Sequence, residues 1–119
     1  MEFIVYTNHE RCIAELRSAG VELCETQDAL DMMADARQLG ANTIIVHAYQ
    51  LDPKFFDLKS GFAGDMLQKF SNYRMKLAII GDFSTYQSKS LRDFIFESNK
   101  MGRICFLPSV DEAKDVFMK

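Results

Sequence analysis

The stretch Asp52–Phe70, DPKFFDLKSGFAGDMLQKF, gathers an Asp-Pro pair, two adjacent phenylalanines, a further aspartate, a lysine, a serine and two glycines into one junction. Ser60-Gly61 stands where a helix is expected to begin. Backbone N–H groups at a helix start, with the positive end of the helix dipole, favour a phosphate or other anion. Ser60 is therefore a candidate for regulatory phosphorylation, with Asp57, Lys59 and Gly61 beside it. The plainer alternative is a capping serine, which contributes about 1 kcal/mol of helix stability and nothing more.

A second set lies at strand ends. Gly81-Asp82-Phe83-Ser84 follows the apolar run KLAII, and His47 ends the run TIIV. Open α/β sheets place functional carboxylates at the carboxyl ends of their strands, although Asp also opens turns by bonding its own backbone. Histidine titrates in the range useful for proton transfer, so His47 and Asp82, with Ser84 nearby, form a candidate acid–base or small-molecule site. The competing expectation is a His47 hydrogen-bonded in place and an Asp82 spent on its turn. His9, in a hairpin turn, is expected to be solvated. No spacing of His, Cys and carboxylates suggests a metal, and the P-loop, dinucleotide and Gly-x-Ser-x-Gly patterns are missing, so no cofactor is expected.

Aromatic residues give a third set. Phe55 and Phe56 point about 100° apart on a helical turn, so one of them is free to face outward. With Tyr49 and Tyr73 they make a candidate interface for a protein partner or a second copy, unless both phenylalanines simply close the core beneath the loop.

These residues need a scaffold, and 119 residues suffice for one domain with one core. A composition 48% hydrophobic and 26% charged is that of a soluble globular chain. The formal net charge of -3 and the lack of a Lys/Arg run argue against nucleic acid or an anionic membrane surface as partner. No secretory leader or bilayer-length apolar stretch is visible. Cys12, Cys24 and Cys105 are odd in number and lack C-x-x-C spacing, which reads as free buried thiols in a reducing cytoplasm.

Glu2–Thr7 and Arg11–Leu16 read as a hairpin whose second strand is half wet, since Cys12, Ala14 and Leu16 alternate with Ile13, Glu15 and Arg17. Gly20 permits a bend before a third short run, Val21–Cys24. Thr26 caps a helix over Gln27–Leu39 that Gly40 stops. The runs at 43–47, 76–81 and 104–107 are continuous rather than alternating, as strands covered on both faces are. Between them fall one helical turn after Asp52-Pro53, a helix capped by Ser60 with Phe62, Met66, Phe70 and Tyr73 in a stripe, and a helix capped by Ser88 or Ser90 and closed by Gly102. Ser109-Val110-Asp111-Glu112 is a capping box for a last helix docked by Val110, Ala113, Val116 and Phe117. This order predicts an α/β fold: a mostly parallel sheet with alternating helices and an antiparallel N-terminal hairpin.

PKFFDLKSGFAGDMLQKFSNYRMKLAIIGDFS, followed by SKSLRDFIFESNKMG and FLPSVDEAKDVF, resembles an uncharacterised bacterial family of small proteins described only as a domain of unknown function. More distantly, the order of elements resembles the STAS domain shared by sulfate transporters and anti-sigma-factor antagonists. There a strand pair precedes an Asp-Ser-Ser-Gly-Leu-Gly helix start, and the chain often ends in Pro-Ser and an acidic-Glu-Ala helix. Ser60-Gly61-Phe62-Ala63 falls at the Ser-Gly-Leu-Gly position, and Pro108-Ser109-Val110-Asp111-Glu112-Ala113 matches the end. The resemblance implies a cytoplasmic regulatory module that binds a protein and is phosphorylated by a partner kinase at Ser60. Asp57 departs from the pattern: Leu58 and Lys59 separate it from Ser60, where the family has a single residue between its Asp and that serine. The other functions left open are the strand-end site and a homodimeric structural module.

Overall fold

Apolar runs, caps and turn residues organise the chain into one five-stranded sheet in a computed structural model that describes residues 1–118. β1 (Glu2–Asn8) and β2 (Arg11–Arg17) form an antiparallel hairpin across the two-residue turn His9-Glu10. β3 (Thr43–His47), β4 (Lys76–Ile80) and β5 (Ile104–Leu107) add in parallel, so the spatial order is that of the sequence. The fold is the expected α/β class.

α1 (Thr26–Gln38), α2 (Phe62–Asn72) and α3 (Lys89–Met101) connect the parallel strands. Each crossover steps to the next strand in the same direction, and right-handed connections then put all three helices on one face. The packing agrees: Met32 and Met33 of α1, Met66 and Phe70 of α2, and Phe94 and Ile95 of α3 share a core with Leu16, Ile44, Val46, Leu77, Ile79 and Phe106. α4 (Val110–Phe117) crosses to the other face and buries Ala113 and Phe117 against Ile13, Ile45, Ala78, Ile80 and Cys105. The strand order nowhere reverses, so this sheet lacks the crevice that a reversal creates at the carboxyl edge of doubly wound folds.

The second strand corrects one expectation. Ile13 and Glu15 are buried as well as Ala14 and Leu16, because α4 and the end of β3 cover the face expected to be wet. Val21–Cys24 is no strand; it contributes a single bridge, Leu23 to Leu51. Cys24 is exposed, contrary to its expected burial, while Cys12 is half-buried, Cys105 is buried and all three are free. Val116 is also exposed, leaving Val110, Ala113 and Phe117 to dock α4.

Helix ends follow local chemistry, with shifts of one residue. α1 is capped by Glu25 rather than Thr26, and Asp28 closes the box by accepting the N–H groups of Cys24 and Glu25. Ser88 caps α3, and Ser109 caps α4 by accepting from Glu112. α2 ends at Asn72 with Tyr73 as its C-cap, and beyond it Arg74, a non-glycine residue with φ of 56°, turns the chain so that Met75 N–H donates back to Phe70 O. Tyr73 is at that end and exposed, so the inward stripe of α2 is Phe62, Met66 and Phe70.

Candidate functional site

Between β3 and α2 the chain makes three short 3-10 turns, Ala48–Gln50, Pro53–Phe56 and Leu58–Ser60. Asp52 accepts from Lys54 N–H and Pro53 takes the first helical position, as the Asp-Pro pair foretells. Asp57 repeats the device by accepting from Lys59 N–H at 3.2 Å. Gly61, not Ser60, is the N-cap residue of α2, and its φ of 80° is the left-handed conformation glycine adopts without steric cost. The turn displaces Ser60 by one position, yet its hydroxyl still does part of a cap's work. Oγ donates to Lys54 O at 2.6 Å and accepts from Phe62 N–H, the first of α2, at 3.2 Å. Asp57, Lys59, Ser60 and Gly61 are all exposed.

Phe55 anchors this junction. It is fully buried, with ring contacts to Phe56, Phe62 and Phe106, so it cannot belong to an exposed patch. Phe56 is half-buried and stacks on Tyr86, with Phe83 beside both. The junction therefore sits against the loop that follows β4, at the carboxyl ends of the strands. Tyr49 is exposed at that same end, its hydroxyl donating to Ser18 O. Tyr73 precedes β4 and so lies at the opposite, amino end of the sheet. The four aromatics expected to form one surface are thus divided between core, rim and far end.

The strand-end residues are also placed apart from the expected pair. His47 Nε2 meets Glu15 Oε2 at 2.8 Å, and Tyr6 O–H donates to Glu15 Oε1 at 2.7 Å. One ring nitrogen of His47 is thus engaged by Glu15, and its backbone N–H by Gln50 Oε1 at 2.8 Å. Asp82 instead accepts from the backbone and hydroxyl of Ser84, at 3.0 and 2.6 Å, and these bonds hold its carboxyl below the usual range. The His47–Asp82 pair is replaced by two separate, internally bonded sets.

The Glu15 bond, then burial, pushes the Tyr6 phenol up to about 12. Burial similarly raises Tyr86, and it raises the Cys105 thiol against the opposing influence of Lys76. An open cleft of about 420 Å³ borders Glu15, His47, Tyr49 and Ile4, and another of about 410 Å³ borders Asp82, Phe83 and Pro108. No group of three His, Cys, Asp or Glu side chains among the described residues could hold a metal ion. No helix among them is long and apolar enough to cross a membrane.

Two residues escaped the sequence reading. Alternation places Glu15 on a half-wet face, and nothing local marks it as the acceptor shared by Tyr6 and His47. Gln50 is fully buried, accepting from His47 N–H and donating to Leu16 O and Ser18 O. It ties the end of β3 to the end of β2. A glutamine just past a buried strand carried the only signal, and that signal is weak because glutamine in a turn is usually solvated.

No curated protein matches the chain. The family model for the domain of unknown function DUF4180 matches residues 8–117, and the chain belongs to that family.

Proposed function

We propose that this chain is a cytoplasmic regulatory module that binds a protein partner, and that phosphorylation of Ser60 switches the binding. The supporting observation is the exposed Ser60 hydroxyl, which bridges Lys54 O and Phe62 N–H. Phosphoryl transfer from ATP to Oγ removes the hydroxyl proton, so the donor to Lys54 O disappears. The ester adds up to about two negative charges at pH 7. Those charges stand at the start of α2, favoured by the helix end and by the neighbouring Lys54 and Lys59. The Pro53–Ser60 surface thereby changes both its hydrogen bonding and its charge. The STAS-like order of elements and the bacterial regulators it evokes support the same reading, while the extra residue between Asp57 and Ser60 makes the loop this chain's own.

The alternative small-molecule or enzymatic site at His47, Asp82 and Ser84 draws less support, because the polar atoms that should converge on a ligand already bond one another. Incubating the protein with native extract and ATP, then mapping peptides by mass, is expected to locate a phosphate on Ser60. Ser60→Asp is expected to change the set of captured partners relative to Ser60→Ala. An unmodified Ser60 together with identical capture by the two variants defeats the switch.

A further inference from the structure

The two edges of the sheet are finished differently. Leu77 N–H donates to Arg103 O and Gly81 N–H to Leu107 O, so the alternate residue Phe106 turns its backbone groups outward from β5. Asn99 of α3 occupies them both: Phe106 N–H donates to Oδ1 at 2.6 Å, and Nδ2 donates to Phe106 O at 3.2 Å. The β5 edge is clamped from within the chain.

β1, the other edge, has no comparable side-chain clamp among the described residues. Asn8 and Arg11 flank a two-residue turn, and the pair beside such a turn is a hydrogen-bonded one. The alternation then directs Phe3, Val5 and Thr7 backbone groups away from β2. The strand runs seven residues in unbroken register with β2, without Pro, Lys or a bulge, the features that commonly block an edge. Its middle exposes Ile4 and Val5, 38% and 41% accessible, on opposite faces.

We infer that β1 pairs antiparallel with β1 of a second copy, about a two-fold axis at Val5, joining the two sheets into one. A two-fold interface must be complementary to itself. Centring on Val5 sets Val5 against its own copy, Ile4 against Tyr6, Phe3 against Thr7 and Glu2 against Asn8, by the sequence EFIVYTN. No like charges meet, and the two exposed aliphatics gain cross-strand neighbours, Ile4 an aromatic one. The outward N–H and C=O groups of Phe3, Val5 and Thr7 find partners in the same register. This association is independent of Ser60, which lies beyond β3 in the junction before α2.

The test is sedimentation of the whole chain over a wide concentration series, with Val5→Pro and Val5→Lys. The wild type is expected to approach twice its 13.6 kDa mass as concentration rises. Val5→Pro deletes an outward N–H and leaves the β1–β2 ladder intact, whereas Val5→Lys sets two charges together on the axis. Both are expected to sediment as monomers with an unchanged circular dichroism spectrum. If Val5→Pro fails to fold, Val5→Lys alone decides. A wild type that stays monomeric overturns the inference and leaves the edge to an extended segment of another protein. Dimers that persist in a folded variant overturn it in favour of another face.

Discussion

Glu15 shows how one buried carboxylate reorganises its neighbours. Alternation along a strand assigns it to solvent, but only 9% of the residue is accessible. A buried charge is costly unless hydrogen-bonded, and here the Tyr6 phenol and the His47 ring donate to its two oxygens. The donors come from β1 and the end of β3, so no local pattern in β2 announces them. The same bonds carry a pH dependence. Tyr6 is raised from its ordinary 10.0 to about 12, so folding disfavours its ionisation. The associated stability is whole below about pH 10 and is lost as pH rises towards 12. Tyr6→Phe removes the donor and is expected to lower stability by roughly 0.5–1.5 kcal/mol at neutral pH. Urea unfolding at stepped alkaline pH should show the gap between wild type and variant closing over that window. A constant gap would mean that Tyr6 ionises with equal ease in the folded and unfolded chains.

Elements were more legible than their ends. Continuous apolar runs located β3, β4 and β5 because both faces of those strands are covered, and Ser109 announced α4 because an N-cap is wholly local; of the expected box only the Ser109 half forms, its hydroxyl accepting from Glu112 N–H. The junction before α2 was harder. A left-handed Gly61 inserts a turn, which makes Ser60 look like the cap one residue too early. That backbone state is set by the three successive 3-10 turns, not by serine's own preference. Two glycines close together then predict opposite effects. Gly61→Ala forces a side chain into a φ of 80° and should lose roughly 1–2 kcal/mol. Gly64 lies inside α2 with nothing within 4 Å of an added Cβ, so Gly64→Ala should gain roughly 0.5–1 kcal/mol by stiffening the unfolded chain. Chemical denaturation of both variants measures the pair. A loss at Gly64 as large as that at Gly61 would show that open space around α2 matters more than backbone conformation.

Across the whole molecule, the class of fold was legible because the helix-separated strands and right-handed crossovers leave few arrangements. Which faces the helices cover, and how tightly, was not, since that depends on strand order and on contacts far apart in sequence. The unreversed order puts three helices on one face, but they dock unequally. α1 buries Ala29, Met32, Met33 and Ala36, and α2 buries Phe62, Ala63, Met66 and Phe70, while α3 buries only Leu91. α3 instead leans over β5, reaching its edge through Asn99, and a cavity of about 470 Å³ opens between it and α2 beside Leu67 and Met101. Phe96 and Met101 are left 66% and 83% exposed. A helix with little buried apolar area has little to hold it once its hydrogen bonds fluctuate, so its local opening should cost less than global unfolding. Hydrogen exchange is expected to rank the elements accordingly. The central strands β3 and β4, paired on both sides and covered on both faces, should exchange only through global unfolding, α1 and α2 more readily, and α3 first. Asn99→Ala should quicken α3 and expose the backbone of Phe106 at the β5 edge while leaving β3 protected. Equal protection of α3 and β3 would instead make the sheet and all its helices a single cooperative unit.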